Sequence, residues 1–307
     1  MIRPLTTALF LASALAISRP AFTQEAGPVP TQVLVNIDAK STPPANAAAL
    51  TVTVNDRKEQ LSSWEPLQPA NAQVALLIDD GLRESVGREI DNLRNFVRNL
   101  SPGVEVLVGY MQYGHVATAQ GFTTDHALAA STLHLPDGMV DMSASPYICI
   151  SDFVKRWPGA TAPHKARFVL MLTNGVDPYN GSTSVMNQGS PYVDNAVEDA
   201  QRAGVAIYAI YFADAGMGGG MTDNSGQNYL SQITQATGGI NYWEGVGNPV
   251  STMPFLQQFQ HSIAESYIAT FLAPAGANPA RDLVRIKVTA PKAKLHTPAK
   301  VRPGNVE

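Results

Sequence analysis

Residues 74–85 read VALLIDDGLRES, passing from an unbroken apolar run through two carboxylates into a helical pattern. Val74, Ala75, Leu76, Leu77 and Ile78 show no alternation, the mark of a strand covered on both faces in a parallel sheet. Asp79 ends the run. Residues 85–100 then set Val86, Ile90, Leu93, Val97 and Leu100 at three- and four-residue spacing, with Arg88, Glu89, Asp91, Arg94 and Arg98 on other faces: an amphipathic helix. A carboxylate where a central strand meets the next helix lies at the carboxyl edge of the sheet, where open α/β folds bind ligands.

The same grammar continues outward. Residues 104–111 read as a strand, with 115–119 beside it, and 125–133 as a short helix capped by Asp125. A loop from Pro136 to Pro146 brings Asp137, Asp141, Ser143 and Ser145 to a helix that runs to Trp157. Residues 167–173 form a second buried strand, stopping at Thr173-Asn174-Gly175-Val176-Asp177. A helix over 192–203, a strand over 205–212 and a helix over 227–237 follow, the last ended by Gly238-Gly239. A short strand over 240–243 and a helix over 253–266 complete the set. Strands alternating with helices predict a doubly wound, mostly parallel, Rossmann-like α/β sheet over 73–266, with helices on both faces.

The flanks differ. Residues 24–72 hold strands at 32–37, 50–54 and 59–62, with a turn over Asn55 to Lys58. Residues 267–307 hold strands at 267–272 and 283–290 and a weaker one near Val301. Neither group has enough core to stand alone, so the two are expected to pair into a small β appendage.

The first residues, MIRPLTTALFLASALAISRPAFTQ, read as a secretory signal peptide, residues 1–23, cleaved near Thr23, with Ala14-Leu15-Ala16 as a competing site. Cleavage removes Arg3 and Arg19 from a chain whose formal charge is already −4, which argues against a nucleic-acid partner. No later segment is long and apolar enough to span a bilayer. A secreted, periplasmic or envelope location is expected. Cys149 is the only cysteine, which excludes an intramolecular disulfide and a cysteine-based zinc site. Within Tyr147-Ile148-Cys149-Ile150 it reads as a small buried hydrophobe.

Chemical motifs are scarce. The six histidines show no metal-ligand spacing, and there is no Gly-x-Ser-x-Gly elbow or Ser-x-x-Lys pair. Gly216-Met217-Gly218-Gly219-Gly220-Met221 fails as a dinucleotide loop, because position 221 is not glycine and no helix is expected to start there; a mobile loop at the functional edge is the better reading. Asp137 and Asp141 read as solvated loop residues rather than as an acid/base pair. The tail carries Arg281, Arg285, Lys287, Lys292, Lys294, Lys300 and Arg302 against Asp282 alone. Solvent-facing strand positions and edge charges account for it better than contact with an acidic polymer.

In this order of elements the chain resembles the von Willebrand factor type A domain, and more closely a secreted bacterial group related to it. LTVTVNDRKEQLSSWEP before the first core strand is similar to that group's leader strands; SYIATFLAPAG, LVRIKVTAPK and VRPG are similar to its closing strands. The resemblance implies a metal-ion-dependent adhesion site built from Asp-x-Ser-x-Ser, a later threonine and an aspartate after the fourth strand. Asp79 matches the first aspartate, but Gly81 and Arg83 stand at the two serine positions. Ser145, with Ser143 as the alternative, falls near the threonine, and Asn174 replaces the second aspartate, with Asp177 just beyond. Magnesium demands near-octahedral oxygen ligation, so the site is expected to be degenerate and metal-free, with no cofactor. Arg83 would neutralise Asp79 and Asp80 in the cation's place. A cation, were one held, would draw on Asp79, Ser145 and Asp177.

The resemblance implies a non-enzymatic module that binds a protein partner through the carboxyl edge, at Asp79, Asp80, Gly81, Arg83, Ser145, Asn174 and Asp177, with residues 216–220 at the rim. Two alternatives stay open. One is an envelope enzyme using acidic loop residues of that edge, and the other a purely structural component of an envelope assembly.

Overall fold

The computed structural model describes residues 27–38, 40–82, 84–137, 144–159, 165–180, 189–213, 220–245, 247–276, 278 and 281–306. The leader, Arg83, Asp141, Ser143 and 216–219 lie outside these residues.

In chain order the elements are β1 (Val29–Ile37), β2 (Thr51–Val54), β3 (Arg57–Glu59), β4 (Leu61–Pro66), β5 (Ala72–Asp79), α1 (Ile90–Arg98), β6 (Glu105–Gln112), β7 (His115–Thr123), α2 (His126–Ser131) and α3 (Pro146–Lys155). There follow β8 (Ala166–Thr173), α4 (Pro191–Ala203), β9 (Val205–Tyr211), α5 (Gly220–Thr237), β10 (Asn241–Tyr242), α6 (Met253–Ala264), β11 (Ser266–Ala273), β12 (Val284–Thr289), β13 (Leu295–His296) and β14 (Lys300–Val301).

The central sheet has the order β10-β9-β8-β5-β6-β7. All its pairings are parallel except that of the edge strand β7, which runs antiparallel to β6. Every residue of β5 is buried, because helices cover both faces. Val74, Leu76 and Ile78 pack with α1, α2 and α6, whereas Ala75 and Leu77 pack with α3, α4 and α5. Each fully buried leucine or isoleucine contributes about 1.5–3 kcal/mol, so this period-two sorting fixes the strand's position in the sheet. Parallel pairing then brings the carboxyl ends of β5 and β8 together, with Ile78 opposite Leu172.

The flanking strands do pair, as expected, into two four-stranded sheets, β13-β1-β11-β4 and β14-β12-β2-β3. Val33, Val35, Val52, Val54, Phe271 and Ile286 form the core between them. The opposite face of β1 and β11 sends Leu34 and Ile268 into the α/β core. Asn36 Nδ2 donates to the Gly238 carbonyl at 3.0 Å while Asn36 Oδ1 accepts from Ser266 Oγ at 2.6 Å, which ties the sandwich to the end of α5.

Three local expectations are corrected. Residues 84–89 form a 3₁₀ helix and α1 starts only at Ile90, since apolar spacing over six residues does not separate the two helix types. Arg57 and Lys58 are already paired with Val54 and Thr53, so the turn is only Asn55-Asp56, at φ 49° and 64°, a two-residue hairpin. The third correction is α5, which begins at Gly220 rather than at 227 and so absorbs the last glycine of the expected rim loop. Tertiary packing overrides weak helix propensity there: a Cβ on Gly226 would lie 2.1 Å from the Asn174 carbonyl oxygen, so only glycine lets the helix lie against the loop after β8.

Candidate functional site

The strand ends meet at Asp79. Its side chain is nearly inaccessible, at 3% exposure, and accepts hydrogen bonds from Gly81 N at 2.9 Å and from Thr173 Oγ1 at 2.6 Å. Thr173 Oγ1 in turn accepts from Gly175 N at 3.1 Å. Gly175 adopts φ +68°, and its carbonyl accepts from the Tyr147 hydroxyl at 2.8 Å. The half-buried Asn174 turns its Oδ1 onto Val176 N at 2.9 Å. Asp177 accepts from Ser190 Oγ at 2.6 Å and from Tyr179 N at 3.2 Å. Ser190, ahead of Pro191, also caps α4 by accepting from Tyr192 N at 3.1 Å.

The electrostatics follow from burial beside two carboxylates. Burial, with the charges of Asp177 and Asp79 and the neighbouring Tyr229, holds the Tyr147 hydroxyl well above its ordinary pKa. Burial first, and then the charge of Asp79, pushes the Cys149 thiol up to about 12. Neither group is ionised near neutrality, so neither serves as a base or thiolate nucleophile there. Cys149 is the buried hydrophobe the sequence suggests.

The expected site residues separate into two groups. Asp79, Gly81, Asn174 and Asp177 gather around the ends of β5 and β8, with Gly81 contributing only its backbone N–H. Asp80 goes elsewhere. Its N–H donates to the Met111 carbonyl at 3.1 Å, and its carboxylate accepts from Asp137 N at 3.1 Å and, at 3.5 Å, from Gln112 Nε2. Burial raises its pKa above the ordinary carboxylate value. Ser145 is fully buried at the N-cap position of α3, but its hydroxyl caps nothing and has no hydrogen-bond partner among the described residues. Thr173, Tyr147 and Ser190 are site residues that the sequence reading passed over. Thr173 closes an apolar strand and Ser190 precedes a helix-starting proline, both visible signals; nothing local marks Tyr147.

The magnesium implied by the resemblance needs about six oxygens at near-octahedral positions. Gly81 has no side chain to offer, Asn174 Oδ1 is held by Val176 N, and both Asp177 oxygens accept from the protein. Among the described residues no group of three or more His, Cys, Asp or Glu could hold a metal ion. Among the described residues the orphan Ser145 hydroxyl suits a ligand, and alone it does not make the donor set fit.

Above these residues the rim carries aromatic surface. Among the described residues, Tyr113, Tyr179 and Trp243 are the exposed aromatic side chains, at 64%, 56% and 52% exposure. They follow β6, β8 and β10 respectively. With strands about 4.8 Å apart, four steps from β10 to β6 span roughly 19 Å.

No family model and no curated protein matches the chain. Solved structures similar to it include BatB, a conserved hypothetical protein from Bacteroides thetaiotaomicron, at 12% identity and TM-score 0.43, over 62% of this chain and 97% of that one. The SpRpn10 VWA domain is similar at 10% identity and TM-score 0.40, over 61% and 93%. The ArnB paralog VWA2 from Sulfolobus acidocaldarius is similar at 8% identity and TM-score 0.39, over 89% and 76%. No helix among the described residues is long and apolar enough to cross a membrane. The order of the central sheet, its single antiparallel edge strand and the helices on both its faces define a doubly wound α/β fold of the von Willebrand factor type A kind.

Proposed function

We propose that the protein is a secreted, non-enzymatic binding or scaffolding module that meets a protein partner through the carboxyl edge of its central sheet, over a degenerate, metal-free adhesion site. The observation that carries this reading is Asp79, whose carboxylate is already accepting from Thr173 Oγ1 and Gly81 N. A carboxylate met by the protein's own donors has less need of a cation. The exposed aromatics support the partner class, since tyrosine and tryptophan are enriched at protein interfaces and supply most hot spots. Their spread fits a standard interface of about 800 Å² per partner. The raised Tyr147 and Cys149 pKa values remove only those two groups as base or nucleophile.

Two measurements test it. Thermal melting should be the same in millimolar magnesium and in chelator; saturable stabilisation by magnesium would sink the metal-free reading. Affinity capture from the native host should retain a partner with wild-type protein, with or without magnesium. The Tyr113→Ala, Tyr179→Ala, Trp243→Ala triple variant should lose it while melting normally. Equal capture by the triple variant would remove the rim from consideration.

A further inference from the structure

At the opposite, amino-terminal edge of the central sheet, a groove of about 280 Å³ lies between the last turns of α3 and α4, the start of β8 and the C-terminal tail. Four cations line it, Lys155, Arg167, Arg202 and Arg302, against one carboxylate, Asp199. In a chain of formal charge −4 this local excess is not a matter of composition.

The fold accounts for three of the cations. Lys155 Nζ lies 3.4 Å from Asp199 Oδ2, and an Arg202 guanidinium nitrogen lies 3.3 Å from Asp199 Oδ1. Arg202 also pairs with Glu198 at 2.6 Å. Both cations sit in the last turn of a helix, where positive charge meets the negative end of the dipole. Arg167 donates to the Ala203 carbonyl at 3.0 Å and lies over the Trp157 ring at 5.5 Å.

Arg302 is different. It makes no hydrogen bond or ion pair through its side chain with any described residue, although it is only partly exposed. Nor does it hang from a loose end. Val301 and Pro303 on either side are buried, the Arg302 carbonyl accepts from Asn305 N at 3.1 Å, and the Asn305 carbonyl accepts from Gln32 N at 2.8 Å on β1. The backbone is therefore anchored so as to deliver a guanidinium into a groove that already holds three cations. Without an anion, that placement is repulsive.

We propose that this groove is an oxyanion site for a phosphate group, with Arg302 as its principal ligand and Lys155 and Arg202 as flanking charges. The guanidinium fork matches phosphate oxygens bidentately. A phosphate group carries a charge of about −1.5 to −2, which suits four cations less the two carboxylates paired with them, Asp199 and Glu198, better than a monocarboxylate does. A free phosphate ester and a phospholipid headgroup present the same chemistry.

The test is calorimetry of the mature full chain with inorganic phosphate at constant ionic strength, with acetate for comparison. The expected result is saturable binding with a Kd on the order of 1 mM, tighter than for acetate and about tenfold weaker in Arg302→Gln. Arg302→Lys, which keeps the charge and loses the fork, should fall between. Arg285→Gln, which removes an exposed arginine on β12 that lies 3.5 Å from Asp56, should bind as wild type. Vesicles with and without phosphatidic acid separate the sources. Sedimentation with the acidic vesicles, competed by phosphate, assigns a headgroup; phosphate binding without sedimentation assigns a soluble ester. Absence of saturable phosphate binding, acetate binding as tightly as phosphate, or undiminished binding by both Arg302 variants overturns the proposal.

Discussion

The two edges of the central sheet treat charge in opposite ways. At the carboxyl edge the buried carboxylates of Asp79, Asp177 and Glu89 each end on donors that the fold supplies. At the amino edge, Arg302 is held in place and its charge is left over. The lesson is that a charged residue at a conspicuous position is weak evidence for a ligand until its own partners are known. Desolvating a carboxylate without donors costs several kcal/mol, so proteins either pair such groups internally or keep them for a guest.

The sharpest way to break this contrast is Gly226→Ala. The added Cβ meets the Asn174 carbonyl at 2.1 Å, and backbone has to move. A loss of about 3 kcal/mol in urea unfolding is expected. A loss below about 1 kcal/mol would mean that the loop after β8 is not clamped as described. Next comes Asp79→Ala, which takes away the acceptor of the buried Thr173 O–H and of the half-buried Gly81 N–H. It should cost about 2 kcal/mol, and Asp79→Asn, which keeps one acceptor, about half of that.

Glu89 sharpens the comparison through pH. Burial acts to raise its pKa, but hydrogen bonds from Thr252 Oγ1 at 2.6 Å, Thr252 N at 2.8 Å and Asn92 Nδ2 at 2.8 Å outweigh it, and the net value is lowered. A lowered carboxylate pKa gives stability that is present above the unfolded value of 4.5 and is lost as pH falls through the folded value. Glu89→Gln should cost about 1–2 kcal/mol at pH 7 and flatten the acid limb of the melting curve. An unchanged acid limb would show that Glu89 is not its source.

Asp80 should show the smallest effect, of the opposite sign in pH. Its folded pKa is raised, so the folded state binds the proton more tightly, and stability falls as pH rises from 3.8 through the folded value. Asp80→Asn keeps an acceptor for Asp137 N, removes that slope and should stay within about 0.5 kcal/mol of wild type at pH 7. A large loss there would place Asp80 with Asp79 after all.

Much of this was legible beforehand, for identifiable reasons. The unbroken runs ending at Asp79 and Thr173 have no amphipathic face, so they had to lie side by side under helices, which put their polar ends on one edge. The flanking strands were legible because neither set could bury its valines alone. What was not legible is long-range: the Tyr147 hydroxyl reaches Gly175 across 28 positions, and α5 starts early because of a contact with Asn174. Local propensity carries no record of either contact.

The sharing of β1 and β11 between the sandwich and the α/β core bears on how the protein can be cut. Leu34 and Ile268 pack into the α/β core on the α1, α2 and α6 face of the central sheet, and Asn36 satisfies a carbonyl at the end of α5, so a fragment trimmed to residues 72–266 would expose leucine and phenylalanine surface and leave the Gly238 carbonyl without that partner. Nature, or an engineer, gains a portable unit from this chain only by moving the flanking strands with it.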